Sequence, residues 1–346
     1  MSERGNEYGK HRVLEPHGVL TQAARRLDND MSKLYSNEIV VDVKSLNIDS
    51  ASFTQLEREA GGDASKISAK IQEIVSERGK MQNPVTGSGG MFIGTVAHVG
   101  EALVERDIKP GDEIASLVSL SLTPLKIDEI IAVYPEIDRV DIKGRAILFE
   151  SGIYARLPSD MSAELALAVL DVAGAPARTA KLVRPCQSVL ILGAGGKSGM
   201  LCCYEAMKRV GPTGRVVAML RNEEQGRFIL ENKLAHAVVF ADATMPMEVL
   251  EKALSANCGN EYDVSISCVN VENAEMSCIL PVKNGGAVYF FSMATSFTRA
   301  ALGAEGVGKD VDMIIGNGYT KDHAEMALDI LRQCAPLREY FEKKYI

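Results

Sequence analysis

The chain has 346 residues, enough for two domains that each bury a core of ordinary size. With 46% hydrophobic and 24% charged residues it has a globular composition, which excludes long disorder or a collagen-like repeat. A formal net charge of -8 argues against nucleic acid as a partner, because nucleic-acid binders cluster Lys and Arg.

The opening MSERGNEYGKHRVLEPHG lacks the apolar stretch of a signal peptide, and no apolar run approaches the ~18 residues of a membrane span. A cytoplasmic protein with no membrane partner is expected. Seven cysteines, all at or beyond position 186 and with no CxxC pair, read as reduced, buried thiols.

Strand patterns come first: EIVVDVKSLNI at 38–48, FIGTVAHVG at 92–100, and DEIASLVSL at 112–120 after the Pro110-Gly111 turn. Between them Ile67, Ile71, Ile74 and Val75 recur at helical spacing up to Gly79, which predicts a helix inserted over about 63–80. A helix over 162–183 leads to continuously apolar strands at 188–193, 216–220, 237–241, 264–269, 287–292 and 311–316, separated by helix-length segments. Strands without alternation are buried on both faces, so a Rossmann-type doubly wound parallel sheet is expected over 160–318. Residues 322–345 read as one or two amphipathic helices. Domain boundaries follow: 1–159 with 319–346 as a mainly β catalytic domain, and 160–318 as the dinucleotide domain.

Strand SVLIL runs into Gly193-Ala194-Gly195-Gly196-Lys197-Ser198-Gly199, and helical periodicity starts at Met200. Glycines at 193, 196 and 199 in a strand-to-helix turn let a pyrophosphate approach backbone N–H groups at the positive end of a helix. Tight helix–strand packing alone is the competing account. A Walker A loop fits poorly: Gly196-Lys197-Ser198 supplies its end, but its first glycine would fall on Ile191.

About twenty residues on, an NAD site usually places an acid at the second strand tip. Here the tip reads Leu220-Arg221-Asn222-Glu223. Arg221 suits a 2′-phosphate, an adenine face, or solvent equally, so these residues permit NADP and do not demand NAD. Ligands in such sheets bind outside the carboxyl ends of the strands, which nominates Val269, Asn270, Ser292, Met293 and Asn317 beside the glycines.

The order of a strand-rich first half, a Rossmann second half and a helical return resembles the medium-chain dehydrogenase/reductase superfamily, with its GroES-like catalytic domain. Many members hold zinc on Cys and His of the first domain; here that region has no Cys, and Ser88-Gly89-Gly90 stands where Gly-His-Glu is usual, so no metal is expected. Longer strings, among them KMQNPVTGSGGMFIGTV (80–96), LFESGIYA (148–155), LDVAGAPA (170–177) and FFSMATSFTRAALGAEGVGKDV (290–311), are similar to the L-erythro-3,5-diaminohexanoate dehydrogenases of bacterial lysine fermentation. That resemblance implies oxidative deamination of the diamino acid to 5-amino-3-oxohexanoate and ammonia, with NAD⁺ the usual acceptor. It also implies a homodimer, since relatives pair Rossmann sheet edges across a twofold axis.

Such a reaction needs a base to neutralise the reacting ammonium and a group to shuttle protons when water attacks the imine. Asp49 follows the first family strand and is a candidate, as is Asp171 in its apolar setting; a turn cap and an ion pair are their respective alternatives. Glu150 is a third acid, set against a strand-end salt bridge. Ser88 and Thr86, at the position of a zinc ligand in relatives, would orient water or substrate unless they only close a glycine turn. His98 is a strand residue with a lesser claim, and Lys126, Arg299 or Lys321 would meet the substrate carboxylate. A zinc-free quinone or enoyl reductase and a non-catalytic dinucleotide sensor are the rival functions.

Overall fold

A computed structural model describes residues 3–316 and 318–346, so Asn317 lies outside the described residues. The chain divides into two compact units, Met1–Leu167 with Tyr345–Ile346, and Ala168–Lys344.

In the first unit β1 (Val13–Glu15) and β2 (Arg26–Leu27) pair as a small antiparallel ribbon. Then come β3 (Glu38–Ile48), α1 (Ser50–Ala60), α2 (Ala64–Arg78) and β4 (Gly90–Val99). β5 (Glu113–Ser116), β6 (Leu125–Tyr134), β7 (Arg139–Phe149) and β8 (Tyr154–Arg156) complete a six-stranded antiparallel sheet in the order β6-β7-β3-β4-β5-β8. The inserted helix is α2: Asp63 caps it by accepting the Ser65 and Lys66 N–H groups, and Gly79 ends it at φ 66°. Its Ile67, Ile71 and Ile74 pack with Phe53 and Leu56 of α1 and with Leu46 and Phe92 of the sheet in one core.

The sequence reading did not separate α1 or resolve β6, β7 and β8. Phe53, Leu56 and Ala60 give α1 a narrow buried stripe on an otherwise polar helix, and β6 is an edge strand whose exposed face dilutes its pattern.

Lys80, just after α2, is fully buried and donates from Nζ to the Thr21 carbonyl at 2.8 Å. Burial, helped by the Arg78 charge, brings its pKa from 10.5 down to about 8. The unfolded chain therefore keeps this proton to higher pH than the folded one, so the stability this group contributes is complete above 10.5 and is lost as pH falls through 8. Urea unfolding of the wild type and Lys80→Met should show their difference moving in favour of the wild type between pH 8 and 10; a pH-independent difference would contradict this assignment.

α3 (Ala163–Leu170) runs across the division of the chain. The second unit continues through α4 (Gly174–Leu182), β9 (Ser188–Leu192), α5 (Lys197–Val210), β10 (Arg215–Leu220), α6 (Glu223–Glu231), β11 (Ala237–Phe240) and α7 (Pro246–Ala256). It closes with β12 (Tyr262–Ser267), α8 (Glu275–Ile279), β13 (Val282–Phe290), α9 (Phe297–Val307), β14 (Val311–Ile315), α10 (His323–Gln333) and α11 (Ala335–Tyr345). The strands are all parallel in the order β11-β10-β9-β12-β13-β14, the doubly wound arrangement with its switch point between β9 and β12.

Three expectations change here. The helix predicted over 162–183 is two helices, because Val172, Ala173 and Ala175 bond three residues back and tighten the chain between them. The tail, expected with the first domain, packs its apolar stripe in the second unit: α10 lies on α4 and α5, and Tyr340 of α11 stacks on Phe228 of α6 at 4.6 Å. Finally, Cys186 and Cys258 are exposed, in positive-φ turns, whereas Cys202, Cys203 and Cys278 are the buried thiols.

Candidate functional site

β9 delivers the chain to Gly193, which adopts φ 75° as the N–H groups of Gly193 and Ala194 both reach the Met219 carbonyl at 3.0 Å. A Cβ on Gly193 would lie 2.9 Å from the Cys268 carbonyl, and one on Gly199 only 2.2 Å from the Gly193 oxygen. Gly193 is thus required by φ and by close backbone approach and Gly199 by close approach alone, whereas a Cβ on Gly196 would meet nothing nearer than 3.7 Å. Gly196 caps α5 with no side-chain bond, at the end of the helix where first-turn N–H groups and the positive dipole end point outward. This is a cradle suited to a pyrophosphate.

Gly199→Ala should push the turn apart at a cost of about 1–3 kcal/mol, a ~5- to 150-fold loss of dinucleotide affinity. Nothing lies within 4 Å of a Cβ on Gly306, so Gly306→Ala is the matched control. Fluorescence titration with reduced cofactor checks the pair, and equal affinities would remove Gly199 from the site.

The other nominated residues surround this turn to different degrees. Val269 adjoins Gly193, its N atom 3.0 Å from that position's Cβ direction, and Asn270 follows it, exposed, beyond β12. Ser292 and Met293 follow β13; the Ser292 N–H bonds to Ser267 and Met293 is 73% exposed. Gln225 crowds Gly195. Asn222 spends its side-chain oxygen on the Gln225 N–H, capping the start of α6. Arg221 is open to solvent and stands 3.9 Å from Asp242.

Asp171 meets Lys197 at 3.2 Å, both half-buried, so the ion pair is the partner the structure gives it beside the glycine turn.

In the first unit Asp49 and Ser88 do come together. Asp49 precedes α1, its carboxylate accepts the Gly89 N–H at 3.1 Å, and its own N–H returns to the Gly89 carbonyl at 3.3 Å. Ser88 Oγ lies 2.6 Å from Ser52 Oγ, which is also 2.6 Å from Thr86 Oγ1. Beneath them Asn83 accepts the Val85 and Thr86 N–H groups and donates to Gln55 and the Ser52 carbonyl. The result is an acid beside a cluster of three hydroxyls, with Thr86 Oγ1 also 3.3 Å from Ser88 Oγ.

Glu150 and His98 do not belong to this group. β3 places Glu38 opposite Phe149 and Ile48 opposite Gly90, so Glu150 sits at the far end of an 11-residue strand from Asp49, roughly 30 Å away. Its carboxylate is held by Arg4 at 2.6 Å and Asn37 at 2.8 Å, bonds from Asn37 and Arg4 that keep its pKa below the ordinary range. His98 lies opposite Val40, toward that same far end, and is exposed. Of the three cations, Lys126 is 3.7 Å from Asp128 on the open face of the antiparallel sheet, Arg299 is 3.3 Å from the buried Glu275, and Lys321 is exposed. Among the described residues no three His, Cys, Asp or Glu side chains gather as a metal site would need, and no helix is long and apolar enough to cross a membrane.

Residues 11–158 match the model of the L-erythro-3,5-diaminohexanoate dehydrogenase N-terminal domain. Two curated proteins named L-erythro-3,5-diaminohexanoate dehydrogenase are similar along the whole chain. The one from Acetoanaerobium sticklandii is 68% identical over 99% of this chain and 100% of its own. The one from Fusobacterium nucleatum is 64% identical with the same coverage. The chain belongs to the L-erythro-3,5-diaminohexanoate dehydrogenase family.

Among solved structures, the CurK enoyl reductase matches with TM-score 0.53 at 14% identity, covering 89% of this chain and 81% of that one. The Escherichia coli quinone oxidoreductase, solved with NADPH, matches with TM-score 0.51 at 15% identity, covering 87% and 80%. This diaminohexanoate dehydrogenase family member thus shares its fold with solved enoyl and quinone reductases. Within it Ser52, Asn83 and Gln55 are the residues that sequence reasoning missed. The only signal for Ser52 was its place three residues past Asp49, which becomes informative once α1 is known to begin there.

Proposed function

We propose that the chain oxidatively deaminates L-erythro-3,5-diaminohexanoate to 5-amino-3-oxohexanoate and ammonia with a nicotinamide dinucleotide as acceptor. The observation that carries this reading is full-length similarity at 64–68% identity to proteins of that name, joined to a phosphate cradle at the switch point of the parallel sheet. A dinucleotide held at the glycine turn would supply the acceptor for the hydride leaving C3. A reductase reading rests on fold alone, at 13–15% identity.

The chain's own residues then have defined tasks. C3 releases hydride only when its amine is neutral, so a base must take an ammonium proton; Asp49 supplies a carboxylate held in place by the Gly89 N–H. Ser88, Ser52 and Thr86 form a hydroxyl chain able to orient the water that attacks the imine and to pass its proton on. Asp171 holds Lys197 at the turn, where the ammonium would help balance the charge of the cofactor phosphates. The substrate carboxylate is assigned to the cations at Lys126, Arg299 or Lys321 as a class.

The enzyme works as a cytoplasmic homodimer in this reading. All seven thiols are free, in keeping with a reducing compartment. β14 ends the parallel sheet with an open edge, and Ile315 on it is 61% exposed, a natural seam for a second copy. Absorbance at 340 nm with the diamino acid and each dinucleotide, alongside an ammonia assay, tests the reaction. Equal yields of reduced cofactor and ammonia are expected, and binding without reduction would overturn it.

A further inference from the structure

The cofactor reading leaves the choice between NAD and NADP to the adenosine end of the cradle, and the inference below rests on that reading. The tip of β10 lacks the usual ribose acid: Leu220 is followed by Arg221, and the Asn222 side chain is engaged in capping α6. The adjacent strand supplies what this one omits. β11 runs in parallel register with β10 from Val217 opposite Ala237 to Leu220 opposite Phe240, and the Ala241 N–H still reaches the Leu220 carbonyl at 3.3 Å. Asp242 is the next residue, so it leaves the sheet beside Arg221.

The Asp242 carboxylate is fixed on one side only. Its Oδ1 accepts the Thr244 N–H at 2.9 Å and the Thr244 hydroxyl at 2.8 Å, while Oδ2 stands 3.9 Å from the Arg221 guanidinium. The Thr244 bonds, with Arg221 behind them, hold this carboxyl below its ordinary range, so it is ionised at any pH near neutral. At 3.9 Å the Arg221 contact is a charge pairing without a hydrogen bond, and Oδ2 keeps room for a hydroxyl donor.

We propose that Asp242, supplied by β11 in place of the missing acid on β10, selects NAD over NADP by accepting the ribose 2′-hydroxyl and repelling a 2′-phosphate. Arg221, a cation at this edge that would welcome a 2′-phosphate, faces the same carboxylate at 3.9 Å. Both side chains are partly solvated, Arg221 at 76% and Asp242 at 45% exposure, so water and salt screen the repulsion. The selectivity it gives is therefore in tens rather than thousands.

The test compares wild type, Asp242→Asn and Arg221→Ala. Calorimetry with adenosine 5′-monophosphate and adenosine 2′,5′-bisphosphate reads the adenosine end without turnover, and kcat/KM with NAD⁺ and NADP⁺ reads it in the working enzyme. Asp242→Asn keeps an oxygen for Thr244 and should cut the NAD preference by about 10-fold or more, mainly by tightening the 2′-phosphate ligands, a shift of ~1.4 kcal/mol. Arg221→Ala should give no such gain, and adding it to Asp242→Asn should reverse it. A wild type that prefers NADP, or an Asp242→Asn variant whose ratio stays within about twofold (~0.4 kcal/mol), overturns the inference while the cofactor reading stands. If the wild type binds neither dinucleotide, the cofactor reading fails and takes the inference with it.

Discussion

Asp49→Asn is expected to lower kcat by about 10²- to 10⁴-fold, the range removed when a positioned general base is lost. Asparagine retains an oxygen for the Gly89 N–H, which the native carboxylate accepts at 3.1 Å, so the loop at 87–90 and the start of α1 should keep their geometry. What disappears is the capacity to take a proton from the substrate ammonium. Dinucleotide affinity should change by less than about threefold, because the glycine turn belongs to the other unit of the chain. Full turnover by the variant would move the base elsewhere, and Ser88→Ala and Thr86→Val would then show whether the hydroxyl chain acts without it.

The largest stability effect is expected at Arg12. Its guanidinium is fully buried and donates from Nε at 2.8 Å and from a terminal nitrogen at 2.7 Å to the two oxygens of Glu38, itself 1% exposed. Glu38 also accepts from His11 and the Tyr35 N–H, and Arg12 reaches the Asp30 and Lys33 carbonyls. Removing one member leaves an uncompensated buried charge, so Arg12→Met should cost about 3–5 kcal/mol by urea unfolding. Changing both members to apolar residues should cost less than the single change, which separates charge burial from lost packing.

The same cluster gives a pH dependence. Burial alone would raise the Glu38 pKa, but the hydrogen bonds from Arg12 and His11, the Arg12 charge and the Tyr35 N–H outweigh it and leave it below 4.5. With the folded value depressed, the Glu38 contribution is present above 4.5 and is lost as pH falls through the folded value. A Glu38→Gln variant should show a shallower acid limb of stability than the wild type. A parallel limb would assign acid unfolding to other carboxylates.

These two cases show where sequence reasoning stopped. Asp49 was visible because it ends a strand that has a family counterpart, yet its partner hydroxyl on Ser52 was not, since the bonds to Thr86 and Ser88 cross 34 and 36 residues of chain. Arg12 lies in an N-terminal stretch with no periodic pattern, and nothing local marks it as buried. Glu150 looked like an active-site acid from its neighbours in sequence, but pairing of β7 with β3 carries it to the opposite end of β3 from Asp49.

What the sequence determined by itself was everything written within a few consecutive residues. The continuous apolar strands, the glycines at 193, 196 and 199 entering α5, and the strings shared with a dehydrogenase family all lie in contiguous segments. Each has a local physical cause, whether burial on both faces, a close backbone turn or a helix start. The tertiary structure decided which distant residues meet: Asp49 with Gly89, Asp171 with Lys197, Arg221 with Asp242, and the tail helices with the parallel-sheet unit. Strand order and register set those meetings, and they depend on the whole core being buried at once, which no single segment encodes.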